Sequence, residues 1–483
     1  MLMKASSQSL TEQLVARFGD RIRNRLLAPG ARLPSVRQCA RQHGVSPSTV
    51  VAAYDHLLAQ GLVEARKNRG FFVRDATPLR PELASPAPLP AEGVLPALST
   101  THWLAARRGP APVNATALIR GMFHKVGPKP QPGMGVFPPE WLESTFMPAA
   151  VRKVTSTRAL HDFSLQYGEP LGDASLRRAL ANKLGGLSVP AVPEQIITTV
   201  GATHALDIVS RTLLRPGDPV MVEEPGWAVE FARLTALGMR LLPVPRRADG
   251  PDLEVMARYC EQHRPKLYVS VSVLHNPTSY CLSPGAAHRV LQLANQHDFH
   301  VVEDDTYCHI APPHATRLCA LDGLQRTIYV GGFAKILAPN WRIGFLAAPP
   351  RLVEPLLDTK LLATLTTPAL LERALALCIE QGQLRRHSER IRERLDGARA
   401  RSVKLALQAG CRFVAEPAGL FGWVDAGVDT DELAQRMLDE GYLLAPGALF
   451  HAERAPSTLM RINFATTQDA AFWRKFAEAV RGR

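Results

Sequence analysis

The chain has 483 residues, which at roughly 100–200 residues per domain points to two to four domains. Hydrophobic residues make up 46% and charged residues 21%, a composition that excludes a disordered chain and can fill a sizeable core. The seven cysteines (39, 260, 281, 308, 319, 378 and 411) form no CxxC pair and no metal-spaced cluster, which argues for a reducing compartment and against a zinc module or a secreted disulfide scaffold. No apolar run approaches the roughly 20 residues that span a bilayer. The N-terminal stretch MLMKASSQSL has no apolar signal core, so a cytoplasmic chain with no membrane or metal partner is expected.

The net charge is +13, and residues 1–75 hold twelve Lys/Arg against five Asp/Glu, so +7 of it sits in that stretch. A basic head on a less charged body fits a polyanion partner or a solubilising surface. In the head, Leu10, Leu14, Val15, Phe18, Ile22, Leu26 and Leu27 recur at helical spacing, and Pro29-Gly30 stops that helix. Ser35 is the expected N-cap of a short helix through Gln42. Gly44 turns the chain, and Ser46 then caps a third helix with Pro47 at its first position. Two short strands, Leu62–Ala65 and Phe71–Val73, flank the basic tip Arg66–Gly70. Helix, tight turn, helix and basic hairpin make a winged helix-turn-helix pattern over 1–75, whose second helix would enter a DNA major groove. The same elements without DNA would make a three-helix protein-interaction module.

Residues 76–112 contain eight prolines among Ala, Leu, Ser and Thr with no sustained period, the composition of a semi-rigid linker. Residues 113–483 alternate β-rich runs (196–200, 220–223, 267–273, 300–303, 328–331 and 343–347) with helical stretches such as 202–214 and 286–296. Such alternation predicts an α/β body with a mostly parallel sheet covered on both faces.

Gly332-Phe333-Ala334-Lys335 follows an apolar strand, and Arg342 comes seven residues later. Lysine and arginine so placed suit an aldehyde cofactor bearing a phosphate, although a lysine like Lys335 taken alone is more often a surface residue. Asp304 ends a buried strand, where open α/β sheets bind ligands, and can pair with a pyridinium nitrogen. Tyr307 and Asn276 are within reach of the same ring, and Trp227 offers a flat face. Gly201-Ala202-Thr203 opens a helix whose amides favour a phosphate.

The stretch LPSVRQCARQHGVSPSTVVAAYDHLLAQGLVEARKNRGFFV closely resembles the GntR-type winged helix. The resemblance implies DNA contacts by Arg37, Ser48, Thr49, Tyr54, Arg66 and Arg69. Pro47 and Val51 stand where relatives of that family carry arginines. Residues 130–480 resemble a fold-type I aminotransferase of class I/II, with a smaller C-terminal α+β subdomain. This makes Lys335 the Schiff-base lysine of pyridoxal 5'-phosphate, Asp304 the pyridinium partner, Asn276 and Tyr307 ligands of the ring hydroxyl, and Trp227 the stacking ring. Ala202, Thr203 and Arg342 fall at phosphate positions, Tyr167 matches a tyrosine that reaches the partner subunit's phosphate, and Arg461 matches the clamp for a substrate α-carboxylate. Gly332 and Ala334 stand where hydroxyls are common, and Ser279 replaces the usual glycine after Asn-Pro-Thr.

Together the two modules resemble the MocR/GabR family of bacterial transcription regulators. That resemblance implies a pyridoxal-phosphate-dependent, DNA-binding regulator, cytoplasmic and nucleoid-associated when bound to its operator. It also implies a head-to-tail homodimer that senses a small amine, an amino acid or the cofactor itself. A catalytically active aminotransferase with an accessory DNA-binding head is the alternative, and a partial half-reaction lies between the two.

Overall fold

The computed structural model describes residues 9–23, 27, 30–66, 69–74, 129–156, 161, 165–312 and 314–482. Its contacts divide into two units, Met1–Val126 and Gly127–Arg483. The expected linker, 76–112, lies outside the described residues.

The N-terminal unit holds α1 (Leu10–Arg23), α2 (Val36–His43) and α3 (Pro47–Ala59), followed by an antiparallel hairpin of β1 (Val63–Arg66) and β2 (Gly70–Val73). Ser35 and Ser46 cap α2 and α3 as expected, accepting from the amides of Gln38 and Thr49. Gly44 closes α2 at φ +64°, a conformation that costs glycine little. Leu14, Phe18, Val50, Ala53 and Leu57 bury the helical stripes against one another, with Val63 and Val73 closing the core from the hairpin.

One expected DNA contact is overturned here. Tyr54 is fully buried and packs edge-on against Phe18 and Phe71, with ring centroids 5.7 and 5.1 Å away. Its hydroxyl donates to the Pro34 carbonyl at 2.9 Å, tying α3 to the entrance of α2. The ring lies on the apolar stripe of α3, four residues beyond Val50, so helical period places it inward.

The C-terminal unit is built on a seven-stranded sheet in the order β3-β9-β8-β7-β6-β4-β5. The strands are β3 (Ile196–Thr199), β4 (Pro219–Glu224), β5 (Arg240–Pro245), β6 (Leu267–Ser270), β7 (His300–Asp304), β8 (Thr327–Gly332) and β9 (Gly344–Ala347). Within this sheet β9 is antiparallel to both neighbours and the other pairings are parallel. Central strands are buried on both faces, with apolar clusters on either side. Edge strand β5 escaped the sequence reading because Pro243 and Pro245 interrupt it. An edge strand tolerates prolines, since it pairs on one side alone. Strand β6 is shorter than expected, because the Val271 amide leaves the ladder and donates to Glu223 Oε2 at 2.9 Å.

A smaller antiparallel sheet, β10 (Arg412–Phe413), β11 (Phe421–Asp425), β13 (Leu459–Asn463) and β12 (Ala445–Pro446) in that order, packs with the helices Thr430–Asp439 and Ala470–Val480. This is the expected C-terminal α+β subdomain. Among the described residues no helix is long and apolar enough to cross a membrane, and no group of His, Cys, Asp and Glu could hold a metal ion.

Tyr54→Phe removes one net hydrogen bond worth about 1 kcal/mol. Denaturant unfolding of the N-terminal unit should show that loss while DNA affinity stays unchanged. Weaker DNA binding at unchanged stability would return Tyr54 to the interface.

Candidate cofactor and DNA sites

The three acids of Glu303-Asp304-Asp305 are sorted by strand alternation, which sends neighbours to opposite faces of the sheet. Glu303 accepts from the amides of Leu318 and Cys319 at 2.7 and 2.8 Å and so caps the helix Leu318–Asp322. Asp305 pairs with Arg317 Nε at 2.6 Å and accepts from the Tyr329 hydroxyl at 3.0 Å. Asp304, at the C-terminal end of β7, lines a cavity with Trp227, Glu230 and His275. Burial pushes its carboxyl up to about 6; nearby Glu230 and Asp305 add to this, and hydrogen bonds from Thr306 oppose it.

Lys335 follows β8 and donates from Nζ to the Gly135 carbonyl at 2.7 Å. Its Nζ stands 5.7 Å from the Tyr307 ring centroid. Burial, helped by repulsion from Arg461, lowers the amine to about 8, with Asp304 pulling the other way. Arg461 on β13 is 4% exposed and lies over the Phe421 ring at 4.3 Å. It donates to Asn276 Oδ1 at 2.8 Å and to the Gly133 carbonyl at 2.6 Å, while its Nε is buried with no partner. Asn276 also hydrogen-bonds Tyr307, whose phenol burial pushes upward against the pull of Arg461. A Cβ built on Gly135 would lie 3.5 Å from Lys335 Nζ and 3.8 Å from an Arg461 guanidinium nitrogen. The amine and the guanidinium therefore flank one small space.

At the other end, Gly201 (φ +86°) precedes the helix Ala202–Leu213, whose first turn has no side-chain cap. A Cβ on Gly201 would come within 2.6 Å of Arg342, whose guanidinium donates to the Val200 carbonyl at 3.0 Å. The uncapped amides at Ala202 and Thr203, beside the Arg342 guanidinium, suit an anion. A Cβ on Gly332 would meet Ala202 at an ordinary 3.5 Å, so sterics do not demand the missing hydroxyl there. Ser279, where glycine was expected, takes φ +60° and donates to the Phe421 carbonyl at 2.9 Å, offsetting part of the roughly 1 kcal/mol that conformation costs. Tyr167 is not brought to this site within one chain; it is 84% exposed.

Two parts of the site escaped the sequence reading. Residues 133–136 lie across Lys335 and Arg461 and contact them through carbonyls, which no side-chain motif announces. Behind the site, buried Glu223 accepts from Arg246 at 3.0 Å, Tyr268 at 3.0 Å and Ser270 at 3.2 Å, and stands 3.3 Å from His275 Nε2. Burial opposes the Glu223 charge, but Arg246 and His275 outweigh it and hold the carboxyl down at about 2. This network fixes His275, and with it the neighbouring Asn276.

On the N-terminal unit, Arg37 and Ser48 are exposed, and Ser46 Oγ lies 2.8 Å from Ser48 Oγ and 2.7 Å from Thr49 Oγ1 at the start of α3. Arg66 is held by Glu64 at 2.7 Å and stacks on Phe72 at 4.5 Å, while Arg69 is exposed at the wing. The wing residues 67–68 lie outside the described residues.

Residues 10–73 match the bacterial regulatory proteins, gntR family, and residues 140–479 match aminotransferase class I and II. A Rhizobium meliloti protein named "Probable rhizopine catabolism regulatory protein MocR" is 32% identical over 370 residues, 76% of this chain and 71% of that protein. The HTH-type transcriptional regulator TauR of Rhodobacter capsulatus is 28% identical over 439 residues, 87% of this chain and 85% of TauR. The chain belongs to the MocR/GabR family of transcriptional regulators. The structure of LysN, an α-aminoadipate aminotransferase from Thermus thermophilus complexed with N-(5'-phosphopyridoxyl)-L-leucine, matches with TM-score 0.69 at 26% identity, covering 76% of this chain and 94% of LysN.

The cofactor of this MocR/GabR-family chain is pyridoxal phosphate. Its donor set fits that group: a buried carboxyl of raised pKa, an amine of lowered basicity, and an uncapped helix start beside Arg342. The lowered amine sets a pH dependence. Deprotonation of Lys335 centres at about 8, so the rate of cofactor capture should rise with pH through that value and level off above it. Arg461→Leu removes a repelling charge and should move the midpoint upward, as followed by stopped-flow absorbance. A midpoint unmoved by that substitution would contradict the coupling.

Proposed function

We propose that this regulator uses its aminotransferase-like unit as a sensor. The cofactor is held at Lys335, and a small amine or amino acid engages Arg461 and changes the DNA affinity of the winged helix. The observation that carries this reading is the pairing of Lys335 and Arg461 around the space above Gly135, with the guanidinium Nε buried and unpartnered. An arginine so placed suits a carboxylate by a two-pronged contact. Pyridoxal phosphate supplies an electrophilic aldehyde and an electron-withdrawing ring when bound. This chain's own residues would orient it: Asp304 would hold a proton at the ring nitrogen, Asn276 and Tyr307 would hold the ring oxygen, Trp227 would stack on the ring, and Ala202, Thr203 and Arg342 would hold the phosphate.

DNA is met by Arg37, Ser48, Thr49, Arg66 and Arg69. Because α3 starts with hydroxyls and no cation, base reading falls to Ser48, Thr49 and Arg37, and affinity falls to the wing. Two chains assemble head to tail, cytoplasmic and nucleoid-associated when bound to an operator. Support for the dimer comes from the exposed apolar side chains of Leu165, Tyr167, Leu362 and Leu365, with Gly168 close to Thr366 and Thr367. Tyr167 then reaches the phosphate of the partner subunit. An effector shifts the state of the dimer only as far as it binds two states unequally.

A second reading, an active aminotransferase, is favoured by the lowered basicity of Lys335, which suits proton transfer as well as capture. Turnover of an amino donor with a keto acid would establish it.

The test is promoter binding by the full chain with and without pyridoxal phosphate. Lys335→Ala should lose the visible absorbance of bound cofactor and the cofactor response, and keep basal DNA affinity. Arg66→Ala with Arg69→Ala should weaken DNA binding, flatten its salt dependence by about two phosphate contacts, and keep the absorbance. A cofactor response that survives Lys335→Ala would defeat the sensor reading.

A further inference from the structure

Four successive carbonyls cross the site at residues 133–136, and their partners alternate. Gly133 accepts from Arg461 at 2.6 Å and Gly135 from Lys335 Nζ at 2.7 Å. Met134 and Val136 both accept from Asn463 Nδ2, at 2.8 and 2.7 Å. Asn463 is wholly buried and lies two residues beyond Arg461 on β13, on the same face of the strand. Its Oδ1 accepts from the Ala465 amide at 2.9 Å, which fixes the side chain and aims both N–H donors at the crossing segment. The segment is seated closely: the Gly133 amide donates to the Leu443 carbonyl at 2.7 Å, and a Cβ on Gly133 would come within 2.5 Å of the Leu444 backbone.

We propose that Asn463 is a positioning residue that holds residues 133–136 so that two main-chain carbonyls occupy the amine and the guanidinium of the site. Along residues 133–136 the carbonyl partners alternate, so holding the even ones presents the odd ones to Lys335 and Arg461. The segment is an internal competitor. When the neutral Lys335 amine condenses with an aldehyde, the C=N bond forms, the aldehyde oxygen leaves as water with the two amine protons, and Gly135 loses its donor; a carboxylate that engages Arg461 takes one from Gly133. Both losses fall on a stretch that follows residues 75–128, the chain leading from the N-terminal unit. Site occupancy is thereby converted into release of that segment. The competition stands on the geometry alone, and its effect on DNA rests on the sensor reading above.

The test is hydrogen exchange of residues 131–137 in the full chain, with and without saturating pyridoxal phosphate, alongside promoter affinity in the same samples. Loss of one net hydrogen bond predicts about tenfold faster exchange in the wild-type segment on adding the cofactor. Asn463→Asp keeps the acceptor to Ala465 and removes both donors. It should exchange about tenfold faster without cofactor and gain little more with it, while still showing the visible absorbance. Asn463→Ser, too short to reach both carbonyls, gives the same readout if the carboxylate variant does not fold. A wild-type segment indifferent to the cofactor, or an Asn463 variant with an undiminished increment, overturns the positioning role. If DNA affinity responds while the segment does not, the positioning role falls and the sensor reading stands. If the segment responds while DNA affinity does not, the sensor reading falls and the positioning role stands.

Discussion

Lys335 brings an ammonium into a place with little water, and a neutral carbonyl, that of Gly135, meets it directly. A buried cation held this way is costly, and the surroundings make it more so: burial and Arg461 both favour the neutral amine. The same environment leaves Asp304 half-protonated at about 6. A carboxyl that resists ionising and an amine that resists protonation would each be relieved by a group bringing a cationic ring nitrogen to one and an aldehyde to the other.

The fold supplies that environment by simple means. Parallel strands bring Asp304, Asn276 and Lys335 to one end of the sheet, and period two on β7 leaves one acid of three facing the cavity. The two acids on the other face are occupied structurally, Glu303 as a helix cap and Asp305 with Arg317. The Glu223 network fixes the turn that carries Asn276, and the small C-terminal sheet carries Arg461 and Asn463 to the same place from another direction. Rigid strands therefore set distances that loops could not hold.

Much of this was legible in the chain. Lys335, Asp304, Tyr307, Asn276 and Arg461 were singled out from their motifs, and the structure brings them close to one another. The caps Ser35 and Ser46, and the strands of the central sheet, follow from local rules. Other features were hidden for physical reasons. The segment 133–136 acts through carbonyls, which every residue possesses. Strand β5 hid behind its prolines. Tyr54 read as a DNA contact because the family motif carries it, but its position on the buried stripe of α3 decides against it. The pairing of the wing residue Arg66 with Glu64 and its stacking on Phe72 also went unseen. Long-range neighbours of that kind are invisible to spacing along the chain.

A second buried amine makes the cofactor assignment sharply testable. Lys360 is fully buried and burial also lowers it to about 8, with Glu372 pulling the other way, yet it lies on the helix Pro350–Thr364 and donates to the Pro170 carbonyl. Basicity alone does not distinguish the two lysines; the neighbours of Lys335, the Tyr307 ring, Asp304 and Arg461, do. Borohydride fixation of the pyridoxal-phosphate-loaded protein followed by peptide mapping reads the attachment point. The adduct should fall on the peptide containing Lys335 and nowhere else. An adduct on Lys360, or an even spread over surface lysines, would contradict the site described here.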